Sequence, residues 1–303
     1  MKLVAPFPYF GGKRLVAPEI WRRFGYVFRF IEPFAGGASV FLSNPRPAQY
    51  EVLNDANGLL VNAWRGIKYD PRAVWRAANR PVAEVELNAV HARMMQRAAG
   101  LPERLSAEVE YHDAELAGWW VWGMCGSIGG AWAEDKRPNS VPFLAQWRGL
   151  QCYGPELLKH LSRRLARTLV TCGDWGRCVT DAVVTHHASP TNVTGVFLDP
   201  PYAADGYDVN VYGAHSSTTV AHDVRAWALR WGDDPRVRVA LCGYDEHDAL
   251  EAAGWTPYAW KAGGGFKNGS ANGNANRFRE VVWFSPHCLK QGAQLSLFDL
   301  EGV

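Results

Sequence analysis

The sequence predicts an α/β protein with a nucleotide-type site at its strand ends, and three observations carry the prediction. Residues 27–37 read Val-Phe-Arg-Phe-Ile-Glu-Pro-Phe-Ala-Gly-Gly, an apolar run that ends in a glycine turn, and Ala38 to Leu42 continue as a helix start. Strand, glycine turn and helix in that order make the nucleotide-site geometry of α/β folds, at the carboxyl end of the first strand. Val196 to Leu198 form a second short apolar run that reads as a buried strand end and passes directly into Asp199-Pro200-Pro201-Tyr202. The 303 residues, 48% of them hydrophobic, allow one large α/β domain or a core with an inserted domain.

The Asp-Pro-Pro-Tyr corner is chemically specific. Each proline sets its own φ and keeps the residue before it out of the helical region, so Asp199 and Pro200 are held extended. Prolines carry no N–H, so the backbone offers carbonyl acceptors. Asp199 adds a carboxylate, and Tyr202 adds a flat ring. Acceptors beside an aromatic plate suit a planar group bearing an NH₂, such as the exocyclic amine of a nucleobase. The same residues also make an ordinary turn after a strand.

Bulk properties narrow the class. Net charge is +2, so no global basic field is present, although arginine outnumbers lysine 24 to 8. Arginine forks suit phosphates and bases. The cysteines at 125, 152, 172, 178, 242 and 288 form no C-x-x-C pair and no zinc-like Cys/His cluster, so they read as reduced, buried thiols of a cytosolic protein. The opening residues contain Pro6 and Pro8 and no long apolar region, which is not a signal peptide, and no stretch of about 20 apolar residues could span a membrane.

Taken in order, residues 7–14 read Phe-Pro-Tyr-Phe-Gly-Gly-Lys-Arg, with two glycines that let backbone approach a ligand, and Leu15 to Phe24 have helical spacing. Tyr50 to Leu53 read as a second strand, followed by Asn54-Asp55; a carboxylate there either accepts ribose hydroxyls or belongs to a helix cap. Residues 56–118 read as helices punctuated by Pro71, Pro81 and Pro102. Residues 118–154 mix glycine and tryptophan and predict neither a clean helix nor a clean strand. Arg137, Arg148, Arg163 and Arg164 are candidates to reach phosphate, or form a solvated face. Leu169 to Cys172 read as a strand leading to Gly173-Asp174. Beyond Tyr202, residues 205–217 predict a loop over the site. Val220 to Trp231 predict a helix, Val237 to Cys242 a strand, Glu246 to Ala253 a helix, and Trp255 to Lys261 with Phe278 to Phe284 two antiparallel strands joined by a glycine- and asparagine-rich loop.

These motifs resemble, in order, those of the Dam-type DNA adenine-N6 methyltransferases, amino-methyltransferases that use S-adenosylmethionine (SAM). The aromatic stretch ending in Gly11-Gly12-Lys13, the Glu32-Pro33-Phe34-Ala35-Gly36-Gly37 loop, Asn54-Asp55 and Asp199-Pro200-Pro201-Tyr202 carry the resemblance. It implies a Rossmann-like SAM-dependent methyltransferase fold with a mostly parallel seven-stranded sheet and one antiparallel strand near the edge. It further implies a catalytic core over 1–65 and 165–287, an inserted, mainly helical target-recognition domain over 66–164, and a tail over 288–303. Tyr9, Phe10, Gly12, Lys13, Glu32, Pro33, Phe34, Gly36, Gly37, Asp55, Asp174 and Asp199 are then the cofactor-binding candidates, and Asp199, Pro200 and Tyr202 the catalytic ones. Lys267, Arg277 and Arg279 are DNA-binding candidates on the hairpin loop. No metal is expected, because the sulfonium is already activated. Asp in the catalytic motif favours adenine over cytosine, and the base would be flipped from double-stranded DNA. Other readings are methyl transfer to cytosine, RNA or a protein amide, or a DNA-binding module with a decayed site. The family's Asn-Arg-x-Gly-like stretch has no counterpart that can be placed here, which leaves base contacts open.

The tail reads Gln294-Leu295-Ser296-Leu297-Phe298. It resembles the peptide by which bacterial replication and repair proteins dock on the sliding clamp, with Leu297 and Phe298 as pocket anchors and Gln294 setting register. Packing of Leu295, Leu297 and Phe298 on the protein's own core is the other reading. A cytoplasmic monomer of bacterial or phage origin is the expectation.

Overall fold

The computed structural model describes residues 3–9, 11–81, 84–126, 132, 150–201, 218–243, 248–260 and 280–290. The elements run α1 (Ala17–Phe24), β1 (Arg29–Glu32), α2 (Ser39–Leu42), β2 (Tyr50–Asp55), α3 (Gly58–Tyr69), α4 (Pro71–Ala78), α5 (Glu84–Ala98), α6 (Leu101–Ala107), α7 (Ala114–Gly126) and α8 (Leu150–Leu165). They continue with β3 (Thr168–Cys172), α9 (Asp181–Thr185), β4 (Thr194–Leu198), α10 (Thr218–Gly232), β5 (Val237–Gly243), α11 (Asp248–Ala252), β6 (Thr256–Ala259) and β7 (Val281–Phe284).

The strands form one seven-stranded sheet in the order β3-β2-β1-β4-β5-β7-β6. The first five are parallel, and β7 lies antiparallel between β5 and β6. This is the expected Rossmann-like methyltransferase architecture. Helices cover both faces, so the central strands β1 and β4 are buried at every position. Side-chain alternation sorts the apolar residues between the faces. Phe30, Phe197, Ala240, Cys242 and Val282 pack with α1, α3, α7 and α8. Ile31, Val196, Leu198, Val239, Leu241 and Trp283 pack with Val184, Val224, Ala228 and Trp231 on the other face.

The glycine- and tryptophan-rich stretch corrects the sequence reading. Residues 114–126 form a regular helix, α7. Leu116, Trp120, Val121, Trp122, Met124 and Cys125 are all buried, so the helix is apolar all round and shows no amphipathic period to read. Its glycines are contact points. A Cβ on Gly118 would stand 2.4 Å from the Ala77 Cβ and 2.6 Å from the Val74 carbonyl oxygen of α4. One on Gly66 of α3 would stand 2.8 Å from the Ala117 Cβ. Gly118→Val is therefore expected to destabilise the fold by about 3 kcal/mol, the upper part of the usual over-packing range, because backbone cannot yield as a side chain does. An unchanged urea unfolding midpoint would refute that packing.

The described part of residues 66–164 shares its apolar cluster with the sheet: Val74, Leu87, Val90, Met94, Trp120, Trp122, Trp132 and Leu161 join Phe30, Leu53 and Phe197. Arg164 is also corrected. It is not free to reach phosphate, because it makes a two-pronged ion pair with Glu51, with Nη2 to Oε1 at 2.7 Å, and lies 3.7 Å over the Phe41 ring. Arg163 is exposed, and Arg137 and Arg148 lie outside the described residues. No helix among the described residues is long and apolar enough to cross a membrane.

Candidate active site

The strand order reverses between β1 and β4, and ligands of open α/β sheets sit at that switch point, outside the strands' carboxyl ends. The pocket lies there. It is lined by Tyr9 and the Gly11–Lys13 turn, by Glu32 to Gly37 and Ser39 after β1, and by Asn54 to Asn57 after β2. Gly173 to Trp175 after β3, Phe197, Asp199 and Pro201 around the end of β4, and Val220 of α10 complete it. Of the predicted cofactor-binding residues, Tyr9, Gly12, Lys13, Glu32, Pro33, Phe34, Gly36, Gly37, Asp55, Asp174 and Asp199 all meet in this one cleft. Phe10 and Tyr202 lie outside the described residues, as do Lys267, Arg277, Arg279, residues 294–298 and the predicted loop at 205–217.

Hydrogen bonds to strand ends hold the glycine loop in place. Asp55 Oδ2 accepts from the Gly36 N–H at 3.0 Å and Oδ1 from the Asn57 N–H at 2.9 Å. The Trp64 indole donates to the Gly36 carbonyl at 3.0 Å. Gly36 has φ +47, in the left-handed region, and a Cβ there would stand 2.8 Å from the Tyr9 ring. Glu32 Oε2 accepts from the Phe41 N–H in the first turns of α2 at 3.1 Å. Burial pushes the Glu32 carboxyl well above its ordinary pKa, and the Phe41 N–H opposes that rise.

Asn54 organises the site in a way the sequence reading missed. β2 runs two residues further than expected, since Asn54 and Asp55 pair with Thr171 and Cys172 of β3. The buried Asn54 amide donates to the Pro33 and Gly173 carbonyls, both at 3.0 Å, and its oxygen accepts from Thr171 at 3.0 Å. One side chain thus ties together the loops after β1 and β3. The α3 cap is Asn57, which accepts from Leu60 at 3.2 Å, while Asp55 remains on the pocket wall. Asp174 also lines the pocket, and its Oδ1 accepts from Gly176 at 2.9 Å to close a short turn. Trp175 stacks on Phe34, with ring centroids 6.0 Å apart and planes inclined by 28°.

At the β4 end, Lys13 turns toward Asp199. Lys13 Nζ lies 2.8 Å from Asp199 Oδ2 and donates to the Gly11 carbonyl at 3.0 Å. Alternation places Asp199 and Cys242 on the same sheet face as Phe197 and Ala240, with Leu198 paired to Leu241. The Cys242 thiol is hydrogen-bonded to Asp199. Burial holds that thiol's pKa well above its ordinary value, so it stays a donor. Glu280, immediately before β7, brings a second carboxylate, with Oε2 3.9 Å from Lys13 Nζ. Burial works to lower the Lys13 pKa, but Asp199, Cys242 and Glu280 outweigh it and leave the ammonium more firmly charged than usual.

The donor set fits a cationic nucleoside such as SAM. Asp55 and Asp174 bring acidic side chains to the pocket wall, Phe34 and Trp175 supply aromatic surface, and bare glycine backbone allows close approach.

Residues 9–89 match the family model of the D12 class N6 adenine-specific DNA methyltransferases. That span contains the Gly-Gly-Lys turn, the glycine loop and Asp55. It ends before Asp199, which the fold returns to the same cleft. No curated protein matches the chain.

Proposed function

We propose that this DNA adenine methyltransferase of the D12 class holds SAM in the β1–β4 cleft and presents the adenine N6 amine to Asp199 and the Pro200 carbonyl. The observation that carries the proposal is the convergence of Asp199 with the glycine-loop residues on one pocket. When bound, SAM supplies a methyl group already activated by its sulfonium. Tyr9, Phe34, Gly36, Gly37, Asp55 and Asp174 are the residues that would hold it. Asp199 and the Pro200 carbonyl would each accept a hydrogen bond from the amine. Those bonds draw the nitrogen lone pair out of ring conjugation and aim it, which is catalysis by positioning and by charge stabilisation. Tyr202 is assigned to stack on the base, and the base must leave the duplex to reach the cleft.

Residues 66–164 are proposed as the target-recognition unit, and Lys267, Arg277 and Arg279 as DNA contacts. Incubation with tritiated SAM and duplex DNA, then digestion to nucleosides, tests the reaction. Label in N6-methyl-2′-deoxyadenosine is expected; label in a methylated deoxycytidine, or in an added RNA but not in the DNA, would overturn it.

Gln294-Leu295-Ser296-Leu297-Phe298 is proposed to dock on a bacterial sliding clamp, raising the local concentration of an enzyme whose net charge is only +2. Leu297→Ala/Phe298→Ala is expected to lower clamp affinity at least about tenfold while methyl transfer to short duplexes is unchanged, as the loss of two apolar anchors implies. Equal clamp binding by the intact and substituted proteins would refute docking.

A further inference from the structure

Glu280 stands out as a partly buried acidic group to which the proposed reaction assigns no role. It precedes the wholly apolar strand β7, whose first residue Val281 pairs with Gly243 at the end of β5. Its backbone is held by the Trp260 N–H, which donates to the Glu280 carbonyl at 3.3 Å. Its Oε2 is buried with no hydrogen-bond partner among the described residues, and it faces Lys13 Nζ at 3.9 Å. Lys13 in turn touches Asp199 at 2.8 Å. Three charged groups far apart in sequence therefore meet, with Lys13 in contact with both Asp199 and Glu280.

A buried carboxylate oxygen without a hydrogen bond is costly and needs compensation by charge. Lys13 alone would neutralise Asp199 and blunt it as an acceptor. The amine takes the methyl as its bond to the sulfonium sulfur breaks, which leaves a neutral thioether, and the methylated nitrogen then gives one proton to solvent, so positive charge builds beside Asp199 before that proton leaves. A cation 2.8 Å away opposes this build-up, and a second anion behind the cation offsets it.

Resting on the site reading above, we propose that Glu280 is a positioning residue for methyl transfer: it shares the Lys13 ammonium with Asp199, so that Asp199 keeps the negative charge that the amine requires. The titratable groups around Glu280 are Lys13 from the N-terminal turn, Asp199 from the end of β4 and Cys242 from β5. Burial raises the Glu280 pKa above the ordinary carboxylate value; Lys13 opposes that rise and Asp199 adds to it. The sign follows: as pH falls, Glu280 is protonated earlier than a surface glutamate, and kcat falls with it.

Glu280→Gln keeps the shape and removes the charge. The expected result is a kcat about tenfold lower, SAM dissociation constant and DNA KM within twofold of wild type, an unchanged unfolding midpoint, and loss of the acid limb contributed by Glu280. Glu280→Asp is expected to recover part of the rate and keep the limb. In a Lys13→Met background, Glu280→Gln should have no further effect, because Glu280 acts through Lys13. Wild-type kcat and pH profile in Glu280→Gln would overturn the proposal, as would additive losses in the double variant. Weakened SAM binding with unchanged kcat would also overturn it, by assigning Glu280 to the cofactor instead. An inactive wild-type protein would instead remove the reading of the site.

Discussion

Asp199→Asn is expected to lower the methyl-transfer rate at least about a hundredfold, the scale seen when one preorganised polar contact to the reacting atoms is lost. The substitution keeps the side chain's size and one accepting oxygen. It removes the charge that makes the acceptor strong, and it points an amide N–H₂ at a site that must receive N–H donors. It also strips the buried Lys13 ammonium of its 2.8 Å partner, leaving Glu280 at 3.9 Å. Breaking a buried pair costs about 3–5 kcal/mol when nothing replaces it, and the nearby Glu280 reduces that cost. Stability and chemistry must therefore be measured together. The informative result is a folded variant that binds SAM within about threefold of wild type by calorimetry, a change near thermal energy, and transfers almost no methyl. A variant retaining more than a tenth of wild-type kcat would show that Asp199 is not the main acceptor.

Gly36→Val is expected to weaken SAM binding at least about a hundredfold, or nearly 3 kcal/mol. Two effects add. At φ +47 a β-branched residue is strained by about 1–2 kcal/mol or more. Its Cβ would also stand 2.8 Å from the Tyr9 ring, forcing that ring away from Gly36 and disturbing the pocket wall it forms. Gly37→Ala is the control. Its Cβ would meet the Tyr9 Cβ at 3.4 Å and the Ala5 Cβ at 3.7 Å, ordinary contacts, and binding should change less than about fivefold, under 1 kcal/mol. Equal affinity of Gly36→Val and wild type for SAM would remove the cofactor from the glycine loop.

The sheet was readable because its strands advertise themselves. Leu169 to Cys172, Val196 to Leu198 and Val237 to Cys242 are apolar runs bounded by turn residues or charge, and each became a strand. The helix α7 was unreadable for the opposite reason: a helix buried on all sides has no polar face to mark its period. Asp55 and Asn54 were ambiguous because a polar pair after a strand serves equally as cap or as strand end, and the pairing to β3 that decides it comes from distant residues. The motifs named most of the pocket wall, yet nothing local joined Lys13 to Asp199 or Asn54 to the loops it ties. Glu280 left a faint signal in the sequence, a carboxylate set directly against four apolar residues of a buried strand. Cys242 left one in its alternation with Ala240.

The place of β7 in the sheet has a consequence for how the enzyme comes into being. The last strand among the described residues is inserted between β5 and β6, and the residue just before it brings the second carboxylate to Lys13. Just beyond it, Leu289 returns to α1, its N–H donating to the Arg23 carbonyl at 2.7 Å and its carbonyl accepting from the Arg23 guanidinium at 3.2 Å. A nascent chain still lacking these residues lacks the strand that pairs with β6 and the Glu280 carboxylate beside Lys13. A chain ended before β7 is therefore expected to carry the early motifs without the Glu280–Lys13 contact and without the strand that joins β6 to the sheet.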